Sequence, residues 1–170
     1  MEVLRKVSIE VNEGEQYRVG DQITVRMKEL GNFTATVQAI EDESIVFMFD
    51  DIIAKHNYHE IQEWLDNDIF PLFPETFNVS EITLPTCGQI FGEDEWCRDI
   101  FEPDTDEQFE LMKRRGNRVC DYDGNWEWWW LKNNHKTYAT SFAIVDNYGG
   151  ANCSGASDSC GVRPVFRIKK

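Results

Sequence analysis

The sequence has no long apolar run and few basic residues for its length of 170 residues. No stretch approaches the roughly 18 consecutive apolar residues of a membrane-spanning helix, so membrane insertion is not expected. The N-terminal segment also has no continuous apolar stretch, and we expect no secretion signal and synthesis in the cytoplasm. Basic residues number 17 and acidic residues 31, a net charge of −14. Because such a charge repels phosphate, we expect no nucleic-acid partner.

Cysteines are few, and none of the five belongs to a C-x-x-C pair. A structural zinc site needs closely spaced ligand pairs, so we expect no metal site of this kind. The odd number and the expected reducing compartment favour free thiols. A loop disulfide between Cys153 and Cys160, which bracket a short polar segment, stays open as the alternative.

The length is that of one domain, and apolar periodicity predicts how it begins. We expect a loosely ordered lead-in at 1–17 and a single domain at 18–170. Alternating apolar residues at 23–27 and 33–39, followed by the apolar segment 45–49, predict an antiparallel β meander with a turn at Gly31-Asn32. The first half of the chain is therefore expected to supply a sheet.

Helices are expected to be few, which makes the predicted fold class α+β. The pair Asn57 and Glu60 fits a helix N-cap with its reciprocal partner, and apolar residues on one face extend the main amphipathic helix over about 57–69. Short helices are predicted after Thr86 and from Thr105. The segments 126–131, 138–145 and 161–168 are predicted strands, with a long loop at 147–159. We expect the first and the last of these strands to lie side by side, with the loop projecting from them into solvent.

Two motifs in the C-terminal half carry a resemblance. Trp128-Trp-Trp-Leu131 is followed about thirty residues later by Gly161-Val-Arg-Pro164. This combination resembles an uncharacterised domain-of-unknown-function family of bacteria and their phages, whose C-terminal half reads W-W-L-R-S-P and then G-V-R-P. Further segments follow in the family's order, so the resemblance covers nearly all of the chain after about residue 17. One departure is Lys132-Asn133-Asn134, which stands where the family has Arg-Ser-Pro.

The resemblance implies a C-type lectin-like fold, in the branch that includes formylglycine-generating enzymes and diversified ligand-display proteins. Such a scaffold has C-terminal strands that carry long exposed loops. Its enzymatic members use two nearby cysteines to bind copper and activate oxygen. This sequence has no cysteine from Asp121 to Asn152, so we expect no catalytic residues and no enzyme activity.

Candidate binding residues come from the tryptophan segment, from the predicted turn 132–135 that follows it and from the predicted loop 147–159. We expect core positions for Trp128, Trp129 and Trp130, and exposure for Trp126. Asparagine, tyrosine and histidine in loops make adaptable contacts. The expected ligand contacts are Trp126, Asn133, Asn134, His135, Asn147, Tyr148 and Asn152. Arg163 is expected to be a scaffold residue that holds loop carbonyls.

We expect no cofactor, and calcium is the alternative. The segment 121–125 resembles half of a calcium loop, but Lys132 stands where an EF-hand has its bidentate glutamate.

We therefore expect a non-catalytic ligand-binding or display module of bacterial or phage origin, with a glycan or a protein as ligand. One alternative is a structural or assembly subunit, such as a virion or tail-associated protein, which would associate with virions and form oligomers. The other is a formylglycine-generating type of oxidoreductase.

Overall fold

A computed structural model describes residues 16–170, which form a mixed α+β protein with mostly antiparallel sheets and few helices. The predicted lead-in at 1–17 lies almost wholly outside the described residues. The described chain divides into two compact units. The first holds residues 16–51, Gln62–Thr83 and Pro164–Lys170, and the second holds Ile52–Ile61 and Leu84–Arg163. In the described part of the chain, no helix is long and apolar enough to cross a membrane.

The first unit is built on a five-stranded antiparallel sheet in the order β1-β2-β3-β12-β5. Its strands are β1 (Gln22–Met27), β2 (Gly31–Ile40), β3 (Ser44–Phe49), β5 (Val79–Thr83) and β12 (Val165–Lys169). Alternate residues of β1 are buried, and residues 45–49 of β3 are all buried. The predicted meander is confirmed, although the connection from β1 to β2 lies at Lys28–Leu30, one step before the expected turn.

The main helical segment is short and irregular. Helix α1 covers Ile61–Trp64, continues as a π-helical turn at Leu65–Ile69 and ends in a 3-10 turn at Phe70–Leu72. Ile61, Leu65 and Ile69 are buried, as the apolar face predicts, whereas Trp64 is half-buried.

The predicted helix start at Asn57 is wrong. The backbone N–H of His59 donates to Oδ1 of Asn57 at 3.1 Å, which closes a turn instead of capping a helix. Glu60 has a φ of +52°, a left-handed conformation that a right-handed helix cannot contain. The helix therefore starts at Ile61, four residues after Asn57.

The second unit holds a five-stranded sheet in the order β10-β9-β8-β11-β4. Its strands are β4 (Ala54–His56), β8 (Trp129–Asn134), β9 (Ser141–Val145), β10 (Ala151–Gly155) and β11 (Cys160–Val162). Strands β8 and β11 are parallel, with Gly161 opposite Trp129. The tryptophan segment and the Gly-Val-Arg-Pro segment therefore lie side by side, as expected. The predicted long loop at 147–159 is wrong, because β10 pairs with β9 over five residues within it.

The remaining elements of the second unit are two short helices and a hairpin. Helices α2 (Cys87–Phe91) and α3 (Glu95–Ile100) are followed by the hairpin of β6 (Asp121–Tyr122) and β7 (Asn125–Trp126). The prediction at Thr86 is confirmed, since Thr86 and Gln89 form a reciprocal capping box.

The helix predicted from Thr105 is wrong, because the segment has no regular secondary structure before a 3-10 turn at Glu110–Lys113. The Gln108 side chain donates to the carbonyl of Ile90 at 2.9 Å. It therefore binds the backbone of α2 and does not cap a helix of its own.

Candidate functional site

The structure divides the predicted contact residues between two ends of the second unit's sheet. Trp129 and Val145 are opposite at one end of the β8–β9 pair, and Asn134 and Phe142 are opposite at the other. A six-residue strand spans roughly 17 Å between its first and last residues. The two groups therefore do not form one small contact surface. We call them the Tyr148 end and the Tyr138 end, after the exposed tyrosine at each.

The Tyr148 end carries Trp126, Asn147 and Tyr148, with Asn152 near the start of β10. Trp126 and Tyr148 are 60% and 66% exposed. The exposure predicted for Trp126 is confirmed. The Asn147 side chain is engaged within the protein, because its Oδ1 accepts from Nε1 of Trp128 at 3.3 Å. The Tyr148 carbonyl accepts from Nε of Arg115 at 2.8 Å, which holds this turn in place.

Asn152 makes a local contact in its own strand. Its Oδ1 accepts from the backbone N–H of Cys153 at 2.8 Å, and the side chain is half-buried.

At the Tyr138 end, Asn133 and Asn134 hold the backbone. Asn133 is only 8% exposed, and its side chain bonds to Cys87, Glu102 and Asp104. Asn134 donates from Nδ2 to the carbonyl of Ser141 at 3.0 Å. Both amides thus organise the end of β8, Asn133 from a buried position and Asn134 from a half-buried one.

His135 and three other aromatic residues form a row at this end. The ring centroids of Trp96 and Phe101 lie 5.6 Å apart, those of Phe101 and His135 6.0 Å, and those of His135 and Tyr138 4.8 Å. Phe101 is buried, whereas Trp96 is 44% and Tyr138 63% exposed. The backbone bridge between Phe101 and His135 joins the segments that carry these rings. This aromatic row therefore presents ring surface to solvent.

The His135 ring has a defined orientation. Its Nδ1 accepts from the backbone N–H groups of Thr137 at 3.0 Å and Tyr138 at 3.2 Å. A nitrogen that accepts carries no proton, so the proton of the neutral ring is on Nε2. The Nε2 atom is then a hydrogen-bond donor.

A cavity of about 470 Å³ opens at the same end. Its lining combines two hydroxyls, carboxylates, amides and a lysine: Thr86, Glu102, Pro103, Asp104, Thr105, Asp106, Lys132, Asn133 and Asn134. Glu102 ties this wall to the strand, since its N–H donates to the carbonyl of Asn134 at 2.8 Å. The cavity and the aromatic row are therefore adjacent, because Glu102 and Asn134 of the cavity lining are the sequence neighbours of Phe101 and His135 in the row.

Tyr58 supports the floor of this region. Its hydroxyl donates to the carbonyl of Lys132 at 2.9 Å, and its ring stacks on Phe142 at a centroid distance of 3.6 Å. Burial raises the pKa of Tyr58 to about 12. The phenol thus stays neutral and keeps its hydrogen bond at neutral pH.

Neither Trp96 nor Tyr138 was predicted as a site residue. Trp96 follows Glu93-Asp94-Glu95, and an aromatic residue in such a polar segment is a weak sign of exposure. Tyr138 was expected to begin a strand, but it lies in the turn before β9.

The structure also describes Arg163 and the segment 121–125. Arg163 is a scaffold residue, as expected: it is buried, Nη1 donates to the carbonyl of Asn117 at 3.0 Å, and the guanidinium lies 4.8 Å from the Trp129 ring centroid. The segment 121–125 forms the β6–β7 hairpin, in which Asp123 and Gly124 both have positive φ, as a type I′ turn requires.

The thiols are free in all five cysteines. Cys160 Sγ donates to Ser154 Oγ at 3.7 Å. Because neighbouring residues of a strand point to opposite faces, Cys153 of β10 points away from the face where Ser154 meets Cys160. The open alternative of a Cys153–Cys160 disulfide is thus disfavoured. Among the residues the structure describes, no group of three or more histidine, cysteine or carboxylate side chains is arranged to hold a metal ion.

Comparison with protein families matches residues 77–170 to DUF6273, a domain of unknown function. Comparisons with curated proteins and with solved structures gave no match. The matched segment includes the aromatic row and the cavity lining, and it makes up more than half of the chain. The chain therefore belongs to the DUF6273 family, an uncharacterised domain as the resemblance predicted.

Proposed function

We propose that this protein is a non-catalytic binding module for a saccharide, which it contacts at the Tyr138 end of the second unit's sheet. The observation that carries the proposal is the aromatic row beside the polar cavity. Exposed ring faces stack on the apolar faces of sugar rings, while hydroxyl, carboxylate and ammonium groups, such as those of the cavity lining, bond to sugar hydroxyls. Both kinds of group occur together at this end.

Individual residues have distinct proposed roles. Tyr138 and Trp96 supply ring surface, and Nε2 of His135 donates to a ligand hydroxyl. Asn133 and Asn134 act indirectly, since their amides hold the cavity wall and the turn. The other expected contacts (Trp126, Asn147, Tyr148 and Asn152) lie at the opposite end and are not part of this site.

We propose further that the fold is C-type lectin-like and that the protein has a bacterial or phage origin. The support is the tryptophan segment and the Gly-Val-Arg-Pro segment, whose strands are neighbours in one sheet. The match of residues 128–131 and 161–164 to the family pattern W-W-L-R-S-P and G-V-R-P supports the same proposal. Lys132-Asn133-Asn134 is the one departure from that pattern.

The test compares two tyrosines of nearly equal exposure at opposite ends of one sheet. A saccharide array identifies a ligand for the unaltered protein, and calorimetric titration then measures its affinity for Tyr138→Ala and for Tyr148→Ala. Covering an exposed ring contributes on the order of 1.5–3 kcal/mol, so Tyr138→Ala is expected to weaken binding about tenfold or more. The matched control Tyr148→Ala is expected to bind normally.

Two results would contradict the proposal. Weakened binding in Tyr148→Ala with normal binding in Tyr138→Ala would move the site to the other end. An array on which the unaltered protein binds no saccharide would exclude saccharides as its ligand class.

A further inference from the structure

Two cysteine side chains meet in the second unit, outside the residues assigned to the ligand. Cys87 is the first residue of α2, and Cys97 is the third residue of α3. Each residue is 5% exposed. The side chain of Cys97 lies near enough to the Cys87 thiol to raise its pKa, through hydrogen bonding and charge repulsion. The two sulfur atoms are therefore neighbours, although ten positions separate the residues in the sequence.

The backbone is fixed on both sides of this pair. The N–H of Cys87 donates to Oδ1 of Asn133 at 2.8 Å, and the N–H of Cys97 donates to Oδ1 of Asp94 at 2.9 Å. A disulfide needs the two sulfur atoms about 2 Å apart with little backbone strain. A bond between Cys87 and Cys97 therefore requires the two side chains to rotate towards each other while this backbone stays in place.

Both thiols border open space. Cys87 and Cys97 line a second cavity, also of about 470 Å³, together with residues from the acidic segments between and after the two helices. A small reagent therefore has a route to the sulfur atoms that a fully packed core would not give.

We propose that Cys87 and Cys97 are a dithiol that a low-molecular-weight disulfide, such as glutathione disulfide, oxidises to an intrachain disulfide. One thiolate attacks a sulfur atom of the reagent and releases one thiol. The second cysteine then attacks the mixed disulfide, forms the Cys87–Cys97 bond and releases the second thiol. The protein loses two electrons and two protons, and the reagent gains them as two thiols.

The surroundings make this exchange slow. The hydrogen bond with Cys97, burial and the nearby carboxylate of Asp104 all raise the pKa of the Cys87 thiol. Since the thiolate is the nucleophile, a raised pKa lowers the rate of attack. A dithiol is stabilised relative to its disulfide when one of its thiols ionises. Because the raised pKa keeps Cys87 protonated, the reduced pair lacks this stabilisation, and the disulfide is expected to resist reduction once formed.

The test uses the native full-length chain in a series of glutathione redox buffers, held until the thiol content is constant and then alkylated. Trypsin places Cys87 and Cys97 together on the peptide 56–98, and places Cys153 and Cys160 on 137–167. The proposal expects 56–98 to lose the mass of two hydrogen atoms. A second cut after a glutamate between the helices should leave the two fragments linked until reduction.

Matched variants assign the linkage. Cys97→Ser and Cys97→Ala are both expected to abolish the linkage, whereas Cys153→Ser should leave it unchanged. The peptide map of the unaltered protein decides the matter even if a Cys97 variant fails to fold. Five titratable thiols in the most oxidising buffer, or a disulfide confined to 137–167, would overturn the proposal.

Discussion

Nδ2 of Asn133 lies 2.9 Å from Oδ2 of Asp104, and this contact joins the end of β8 to the acidic segment that walls the cavity. The same Asp104 oxygen accepts from the N–H of Gly88 at 3.0 Å. Asn133 also accepts from Cys87. One buried amide and one carboxylate therefore hold a strand, a helix start and a loop together.

Replacing Asn133 with alanine should destabilise the protein substantially. The substitution leaves the N–H of Cys87 without its acceptor and removes a donor from Asp104. A buried polar group left unpaired costs about 1–3 kcal/mol, so we expect a loss of about 2–3 kcal/mol in the free energy of unfolding. Urea denaturation followed by tryptophan fluorescence measures it.

The control for Asn133→Ala is Asn125→Ala, at an exposed position in the β6–β7 hairpin. Its effect should stay within about 0.5 kcal/mol. Equal unfolding midpoints for the two variants would show that the Asn133 contacts do not stabilise the fold.

Gly161 should not tolerate a methyl group. A Cβ at this position would lie 2.9 Å from the carbonyl oxygen of Trp128 and press on the side chain of Ile52. The N–H of Gly161 donates to that same carbonyl at 2.7 Å, so the two strands cannot separate without losing the bond. Overpacking of this kind costs about 1–3 kcal/mol, and we expect Gly161→Ala to lower the thermal midpoint accordingly.

Gly116→Ala is the matched control. An added Cβ there meets nothing within 4 Å. The substitution should be neutral or slightly stabilising, because alanine restricts the unfolded chain more than glycine does. If calorimetry gave both variants the same thermal midpoint, the close strand contact at Gly161 would not contribute to stability.

Tyr58 should make stability fall in alkaline solution. Its pKa is about 12 in the folded protein and about 10 in an unfolded chain. Because burial disfavours the charged phenolate, the folded state holds its proton over a range where the unfolded state has lost it. The resulting stabilisation is fully present below about pH 10 and is lost as the pH rises through about 12.

Spectrophotometric titration checks the phenol directly, and thermal unfolding at several alkaline pH values checks the linkage. Tyr58→Phe should remove this part of the alkaline loss, at a cost of about 1 kcal/mol at neutral pH for the lost bond to Lys132. The control Tyr148→Phe, at an exposed ring, should leave the alkaline profile unchanged. An alkaline profile that Tyr58→Phe leaves unaltered would contradict the assignment.

Local patterns were enough to predict the parts of the fold that depend on neighbours in sequence. The alternation from Ile23 to Met27 matches the buried face of β1, and Thr86 with Gln89 predicts the start of α2. The adjacent positions of β8 and β11 also agree with the prediction. Each of these features either has a short-range physical cause or belongs to the motif that carries the resemblance.

The remaining features depend on partners distant in sequence. The left-handed Glu60 prevents the helix start that its own side chain favours. Gln108 is drawn away from a helix by the carbonyl of Ile90. The aromatic row exists because Phe101 pairs with His135, 34 residues away. A single sequence contains no local pattern for such a pairing, so the candidate site was only partly predictable.

Replacing Arg163 with lysine should weaken the protein although the charge is kept. The planar guanidinium lies over the Trp129 ring while Nη1 reaches the carbonyl of Asn117. Lysine has a point charge on a flexible stem and cannot stack and donate in this way. Loss of one buried hydrogen bond and of the ring contact should cost about 1–3 kcal/mol in the free energy of unfolding.

Urea denaturation measures that loss, and the emission of the native state provides a second readout because Trp129 lies beneath the guanidinium. Arg26→Lys, on an exposed position of β1, is the control and should change neither quantity. Arg163→Leu should lower the free energy of unfolding more than Arg163→Lys does, because the Asn117 carbonyl would then lose its donor entirely. If Arg163→Lys were as stable as the unaltered protein, neither the ring contact nor the planar shape of the guanidinium would contribute to stability. The positive charge alone would then explain the arginine of the Gly-Val-Arg-Pro segment.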